Sequence, residues 1–448
     1  MALPSIKKKE RTETMSQKKQ LKNPTLAMWL SIIPGLGQFY NGQKVKAGLL
    51  LGVFLLEIVE LVTFGIPAMV GLITLGSTPV IDHSLFLLIK GSMQLIIFVL
   101  MAIIHAVSMS DAKNTARLIN DGQKVPMTAK ETLETIYEKG FPYLLIIPAY
   151  LAMAFAIVFP VLVTLFIAFT NYDFRHIPPQ KLLDWVGLKN FSNIVQLSTF
   201  RKAFSNVLSW TFIWTICASS LQIVIGVATA IIANQKFIKF KRIFGVIFLL
   251  PWAVPAFISI MTFSNFFNDS IGAMNVQVLP FIEKLLPFLD FGIVPWKTDP
   301  TWTKIAVIMV QGWLGFPYIY ILVSGILQSI PEDLYEAATV DGATAWQKFW
   351  KITLPMILAV AAPTFISQYT FNFNNFSIIY LFNNGGPGSV GGGAGATDIL
   401  ISWIYKLTTQ TSPQFSMASA VTLIISLIVI TVSLITFKKF KAFDMEDR

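Results

Sequence analysis

The side chains in this sequence best suited to chemistry are amides. The stretch FNFNNF at 371–376 places Asn372, Asn374 and Asn375 inside a long apolar run. A buried amide is costly there unless it finds hydrogen-bond partners. Amides both donate and accept, so a group of them suits a neutral ligand rich in hydroxyls, and the rings of Phe371 and Phe376 can cover its apolar faces. On a continuous helix Phe371 and Asn375 lie one turn apart with Asn372 beside them, Gln368 one turn before Asn372, and Asn374 on another side. The competing reading is polar glue between helices around an aromatic core. Other reactive groups are sparse. His83, His105 and His176 lie in separate segments without ligand spacing, and Cys217 reads as a buried small hydrophobe. Neither a catalytic cluster nor a metal site is expected.

The elements that must position these amides are membrane spans. Of the 448 residues 54% are hydrophobic and 13% charged, with mean hydropathy +0.64, where a soluble domain carries about 25% charged residues. Eight apolar stretches are long enough to cross a bilayer: 48–75, 85–108, 143–170, 204–233, 243–267, 303–327, 355–380 and 415–437. The expected fold is an all-α membrane protein with eight transmembrane helices. Its net charge of +10 is spread over short segments between spans rather than over one soluble face, so nucleic acid is not an expected partner. With both termini placed in the cytoplasm, 24 of the 34 Lys and Arg residues fall on the inner side, as the positive-inside rule requires. The outer loop 171–203, with five basic residues, runs locally against that bias.

Several features depart from plain spans. Residues 1–47 comprise a polar, basic tail over the first 22 residues, not expected to be a cleavable signal, and a short apolar segment at 26–43 that Pro34, Gly35 and Gly37 interrupt. That segment is expected to lie in the interface or dip in and return. Glu57 and Glu60, three apart in the first span, share one side and should face protein or water. Prolines fall inside the third, fifth, sixth and seventh spans (Pro148, Pro160, Pro251, Pro255, Pro317, Pro363), which suits a bundle that packs around a pathway and moves.

The largest interruption is PEDLYEAATVDGATAWQKFWKITLP, residues 331–355. Ser329 and Glu332 have capping-box spacing, so a short helix should begin near 330. Leu334, Ala337 and Ala338 share a face, and Glu336 lies on another. Asp341-Gly342 reads as a turn, and a second short helix follows with Trp346, Phe349 and Trp350 on one side. An interfacial helix explains the aromatics. A docking surface better explains the small residues and Glu336, a carboxylate that would seek a basic partner.

Written as EAATVDGATAWQKFWKITLP, this stretch closely resembles the EAA motif of permease subunits of binding-protein-dependent ABC importers. WLGFPYIY (313–320), FNFNNF, NNGGPG (383–388) and AGATDILISWIYK (394–406) extend the similarity to the maltose/maltodextrin permeases and their oligosaccharide relatives. The resemblance implies a six-helix importer core over 143–437, preceded by two extra helices and a cytoplasmic linker in 48–142 and followed by a cytoplasmic tail at 438–448. It implies that 331–355 is a coupling segment: Glu336 meets a basic residue of an ATPase, Ala337 and Ala338 allow close seating, and Asp341 and Gly342 make the turn. The implied partners are a second homologous permease, two ATPase subunits and an extracellular sugar-binding protein, with lipid around the spans. ATP and magnesium would belong to the ATPases, and no cofactor to this chain, which carries no GxxxxGK[ST] segment. The implied sugar site is Tyr318, Phe371, Asn372 and Asn375, to which helical spacing adds Gln368, with Gly312 and Gly315 leaving room near Tyr318. The expected function is import of maltose or maltodextrin across the cell membrane. Another oligosaccharide, such as a galacto-oligosaccharide or cyclodextrin, is the nearest alternative, and a secondary sugar transporter is a more distant one. The short 171–203 loop, where the enterobacterial relatives carry a large domain, fits a Gram-positive protein. The glycine-rich loop 383–398 reads either as a flexible rim under the binding protein or as a disordered linker.

Overall fold

The computed structural model describes residues 21–235 and 237–439. The basic runs at 7–9 and 18–19 and most of the 438–448 tail lie outside the described residues. The chain divides into two compact units. One runs to Phe166 and takes in His176–Asp184, and the other comprises Ile167–Arg175 and everything from Trp185.

The first unit contains α1 (Pro24–Leu30), α2 (Leu36–Tyr40), α3 (Lys44–Glu60), α4 (Ile66–Thr74), α5 (Ser84–Asn120), α6 (Ala129–Met153) and α7 (Phe159–Ile167). Asn23 caps α1 by accepting from the Thr25 and Leu26 amides, with Pro24 in the first turn. The 26–43 segment is not an isolated helix. It folds into the α1–α2 hairpin and is pinned to α5, where buried Gln38 donates to the Ser108 carbonyl at 2.9 Å and to Asp111 at 3.0 Å. Gly37 permits that fit, because a Cβ there would come within 2.1 Å of the Ala27 carbonyl oxygen. Glu57 and Glu60 both turn toward α5, as their spacing implied. Glu57 lies 3.7 Å from His105 Nδ1, and Glu60 accepts from Gln94 Nε2 at 3.3 Å.

The second unit contains α8 (Lys189–Gln196), α9 (Ser198–Ala233), α10 (Lys241–Ala253), α11 (Ala256–Phe266), α12 (Leu279–Leu285), α13 (Pro300–Ser329), α14 (Glu332–Val340), α15 (Ala345–Lys348), α16 (Leu354–Phe373), α17 (Phe376–Asn383), α18 (Leu400–Thr409) and α19 (Phe415–Lys439). Its spine is the pair α9 and α13. Gly226 of α9 lets the two backbones close, since a Cβ there would sit 2.4 Å from Ile319 Cβ. Trp210, Trp214, Ile260, Val307, Ile378 and Phe382 form the core beside this pair. Cys217 faces outward beside exposed Ile216 and is not buried.

Among the described residues seven helical segments are long and apolar enough to span a bilayer, and α10 with α11 makes an eighth if that bent pair is one span. Two departures from regular spans matter for the site. The fifth expected span is bent by 88° between α10 and α11: Val254, ahead of Pro255, is extended at ψ 134°, the conformation that a following proline favours. The seventh begins at Ala345 rather than 355, is continuous to Phe373, and then breaks at Asn374–Asn375 before α17. Other prolines act differently. Wide π-helical turns at Leu61–Gly65, Ala154–Val158, Met274–Val278 and Phe349–Thr353 each end two residues before a proline: Pro67, Pro160, Pro280 and Pro355. A proline ring clashes with the carbonyl four residues back and offers no N–H to it. Widening the preceding turn removes that clash without ending the helix.

Candidate functional site

The α10–α11 bend, α13 and α16–α17 line an open cavity of about 800 Å³ in the second unit. Its walls are aromatic at Trp252, Tyr318 and Phe371 and polar at Gln311, Gln368 and Asn375, and none of the lining residues is charged. Trp252 and Tyr318 lie 6.0 Å apart between ring centroids, and the Trp252 indole donates to the Leu314 carbonyl at 3.3 Å. Phe371 is 60% exposed, so a large apolar face is available to a ligand. Flat rings beside uncharged amides can stack on the apolar faces of a neutral polyhydroxyl compound while hydrogen-bonding its edges.

The structure brings together four of the five residues expected to bind sugar: Tyr318, Gln368, Phe371 and Asn375. Asn372 is absent from the cavity wall. It is fully buried against α9, donating to Ser219 Oγ at 2.9 Å, and its main-chain carbonyl accepts from Trp214 at 2.9 Å. Neighbouring helical positions point about 100° apart, so exposed Phe371 and buried Asn372 serve different faces. Asn374 is exposed at the break. Asn375 reaches the cavity because the helix ends at Phe373, not because it sits one turn beyond Phe371.

Behind the wall the amides are joined. Asn375 Nδ2 donates to Gln311 Oε1 at 3.1 Å, Gln311 Nε2 to Gln222 Oε1 at 3.1 Å, and Gln222 Nε2 to Gln368 Oε1 at 2.9 Å. Gln222 and Gln311 had escaped the motif reading, although a glutamine within an apolar span was itself a signal. Trp252 had none until the bend brought it to the wall. Gly312 and Gly315 make room for α9 rather than for Tyr318: a Cβ on Gly312 would lie 2.8 Å from Leu221, and one on Gly315 would lie 2.0 Å from Gln222 Oε1. Gly315→Ala is therefore expected to displace Gln222 and destabilise the fold by about 1–3 kcal/mol, the usual cost of overpacking. Thermal unfolding of the assembled transporter checks this, and an unchanged midpoint would refute the contact.

The 331–355 segment is a helix, a turn and a second helix. No capping box forms at Ser329, whose hydroxyl instead donates back to the Ile326 carbonyl at 2.7 Å; α14 begins at Glu332 after Pro331. A capping box does form one arm later, between Thr344 and Gln347. Glu336 and Ala337 are exposed, Ala338 is half-buried, and Asp341 ends the helix ahead of Gly342 at φ 74°. The second arm is not a separate helix, because α15 continues through the π turn into α16. Tyr335 on α14 shares a 2.9 Å hydrogen bond with Thr353 at the foot of α16.

The 383–398 loop is packed and hydrogen-bonded onto the helices of the second unit. Trp210 donates to the Thr397 carbonyl at 3.0 Å, Trp403 donates to that of Gly392 at 2.7 Å, and buried Asp398 accepts from Gly395, Ser402 and Lys406.

A bundle of broken, proline-bent spans around an uncharged cavity, with an exposed helical elbow between two spans, defines a transport permease. The chain matches the family described as binding-protein-dependent transport system inner membrane component over residues 222–441, and it belongs to that family. It is 68% identical over 424 residues to the maltodextrin transport system permease protein MalC of Streptococcus pneumoniae, covering 95% of this chain and 98% of the relative. It is 47% identical over 426 residues to the galactooligosaccharides transport system permease protein GanP of Bacillus subtilis, covering 94% and 99% respectively. A crystal structure of a bacterial ABC transporter involved in alginate import matches in fold alone, with TM-score 0.56 and 21% identity over 70% of this chain and 99% of that one.

Proposed function

We propose that this chain is the permease subunit of an ATP-driven importer of maltose and maltodextrins. The observation that carries the reading is the cavity, uncharged and walled by three aromatic rings and three amides, in a chain 68% identical to a maltodextrin permease over nearly its whole length. In this reading an extracellular binding protein delivers the sugar. A second, homologous permease completes the pathway, and two ATPase subunits holding ATP and magnesium dock against 331–355. Both termini are cytoplasmic, and the cell is Gram-positive.

The geometry suggests how work would reach the sugar. A push on α14 passes through the Tyr335–Thr353 hydrogen bond to the base of α16. From Thr353 the helix runs about 22 Å, at 1.5 Å per residue, to Gln368. A rigid rod of that length moves Gln368 and Phe371 against the Trp252 wall, loosening the grip on the sugar as the cavity changes its side of access.

Trp252→Ala is expected to raise the KM of maltotriose uptake by about tenfold or more, as truncating an aromatic anchor at a binding site does, with assembly retained. Reconstituted transport with the purified complex checks this, and wild-type KM in that variant would remove Trp252 from the site. The likeness to a galactooligosaccharide permease makes galacto-oligosaccharides the second reading. A sugar panel on the same preparation decides: stimulation by galacto-oligosaccharides but not by maltodextrins would replace the first reading with the second.

A further inference from the structure

We propose that Gln222, which does not line the cavity, sets the hydrogen-bonding polarity of the sugar site by fixing which end of the Gln368 amide faces the ligand. The proposal rests on the sugar-import reading above and deepens it.

The four amides run head to tail, each donating in the same sense: Asn375 to Gln311, Gln311 to Gln222, and Gln222 to Gln368. Turning all four over would preserve every link, so the relay needs something to choose its direction. A main-chain carbonyl makes that choice. The Gln368 carbonyl can only accept, and Ser219 Oγ donates to it at 3.3 Å. With its proton so used, the Ser219 oxygen accepts from Asn372 Nδ2. That leaves Asn372 Oδ1 to accept from Asn375 Nδ2 at 3.4 Å. Asn375 must therefore turn its nitrogen inward, and each amide that follows is determined.

The ends of the relay are then opposite in kind. Asn375 keeps Oδ1, an acceptor, and Gln368 keeps Nε2, a donor, and both residues line the cavity. A sugar meets a fixed acceptor at one place and a fixed donor at another. Gln222 is fully buried and Gln311 is 4% exposed, so water does not compete for the inner links, and a reversed amide would leave buried groups unpaired. Gln222 is thus a positioning residue acting through Gln368, and Asn372 and Ser219 set the sense of the chain.

The test uses the intact complex with maltotriose, its monodeoxy analogues and the matching deoxyfluoro analogues, in which fluorine accepts weakly but cannot donate. In the wild type the hydroxyl that accepts from Gln368 should tolerate fluorine better than deletion, by roughly threefold to tenfold in KM, the scale of one hydrogen bond. The hydroxyl that donates to Asn375 should tolerate neither. In Gln222→Met the first preference should fall to within about twofold, because the Gln368 amide is free to turn, while intolerance at the second persists. Ser219→Ala, a smaller change, should weaken discrimination at both positions and serves if Gln222→Met does not assemble. A KM raised equally for every analogue, or a wild-type preference pattern in the variants, overturns the relay. A wild-type complex that does not respond to maltotriose overturns the import reading instead.

Discussion

Asp398→Ala is expected to be among the most destabilising single changes in the second unit, costing about 3 kcal/mol or more. The carboxylate is fully buried, and it accepts from the Gly395 amide at 2.7 Å, from Ser402 at 2.8 Å and from Lys406 at 2.5 Å. Removing one partner of a buried pair leaves the other charge uncompensated, which typically costs 3–5 kcal/mol. The Lys406 side chain is 19% exposed, so it can recover some hydration, which favours the lower end. The damage should spread along the loop. Gly385 packs directly against Asp398, and Thr397 donates to the Gly386 carbonyl, so 385–398 loses its anchor. The measurement is thermal unfolding of the purified complex together with limited proteolysis: a lower midpoint and new cleavage within 385–398. Asp398→Asn, which keeps the shape but has a single acceptor oxygen and so can accept from only one of Gly395 and Ser402, should fall between Asp398→Ala and the wild type. If Asp398→Ala melts like the wild type and resists cleavage, the loop is held by its tryptophan hydrogen bonds alone.

The loop also shows where sequence was a poor guide. Its glycines read as freedom, but Gly391, Gly392 and Gly393 all adopt positive φ to fit under Trp403 and its neighbours, and the residues that order it are distant in sequence. The spans were legible because hydropathy depends on composition within one segment. Their interruptions were legible only in part. Pro255 was visible, yet it bends the chain by 88° while Pro363 lies within continuous α16, and packing decides between those outcomes. The break at Asn374 has neither proline nor glycine to announce it. It spoiled the periodicity argument at FNFNNF by placing Asn375 in the cavity by a different route, while Asn372, still within α16, faces α9 because it lies about 100° round the helix from Phe371. Gln368 reaches the cavity wall although Asn372, the residue its spacing was reckoned from, does not, because its side chain lies at the edge between the wall and α9, where Gln222 holds it. Gln222 and Gln311 could not be joined to it, because the link between them is made across helices.

The second large effect concerns the exposed elbow. Glu336→Ala combined with Gly342→Val is expected to reduce maltotriose uptake by about thirtyfold or more, while ATP hydrolysis by the complex stops responding to sugar. The two changes act on different links. Glu336 lies on an exposed face of α14, and loss of a charge-assisted contact at an interface hot spot costs about 2 kcal/mol or more. Gly342 holds φ 74°, and a Cβ there would meet nothing within 4 Å. Its restriction is therefore conformational rather than steric, and an ordinary L residue pays about 1–2 kcal/mol in that region. A β-branched valine is a poor fit there, whereas asparagine tolerates it. Glu336→Ala with Gly342→Asn should thus resemble Glu336→Ala alone, and Gly342→Asn alone should resemble the wild type. This ordering separates a turn that must keep its shape from a surface that must merely be small. Co-purification of the ATPase with each variant shows whether docking or transmission has failed. If docking survives and uptake is lost only when valine is present, the elbow's angle carries the motion toward Thr353 and α16. Full sugar uptake in the double variant would leave α14 without a coupling role.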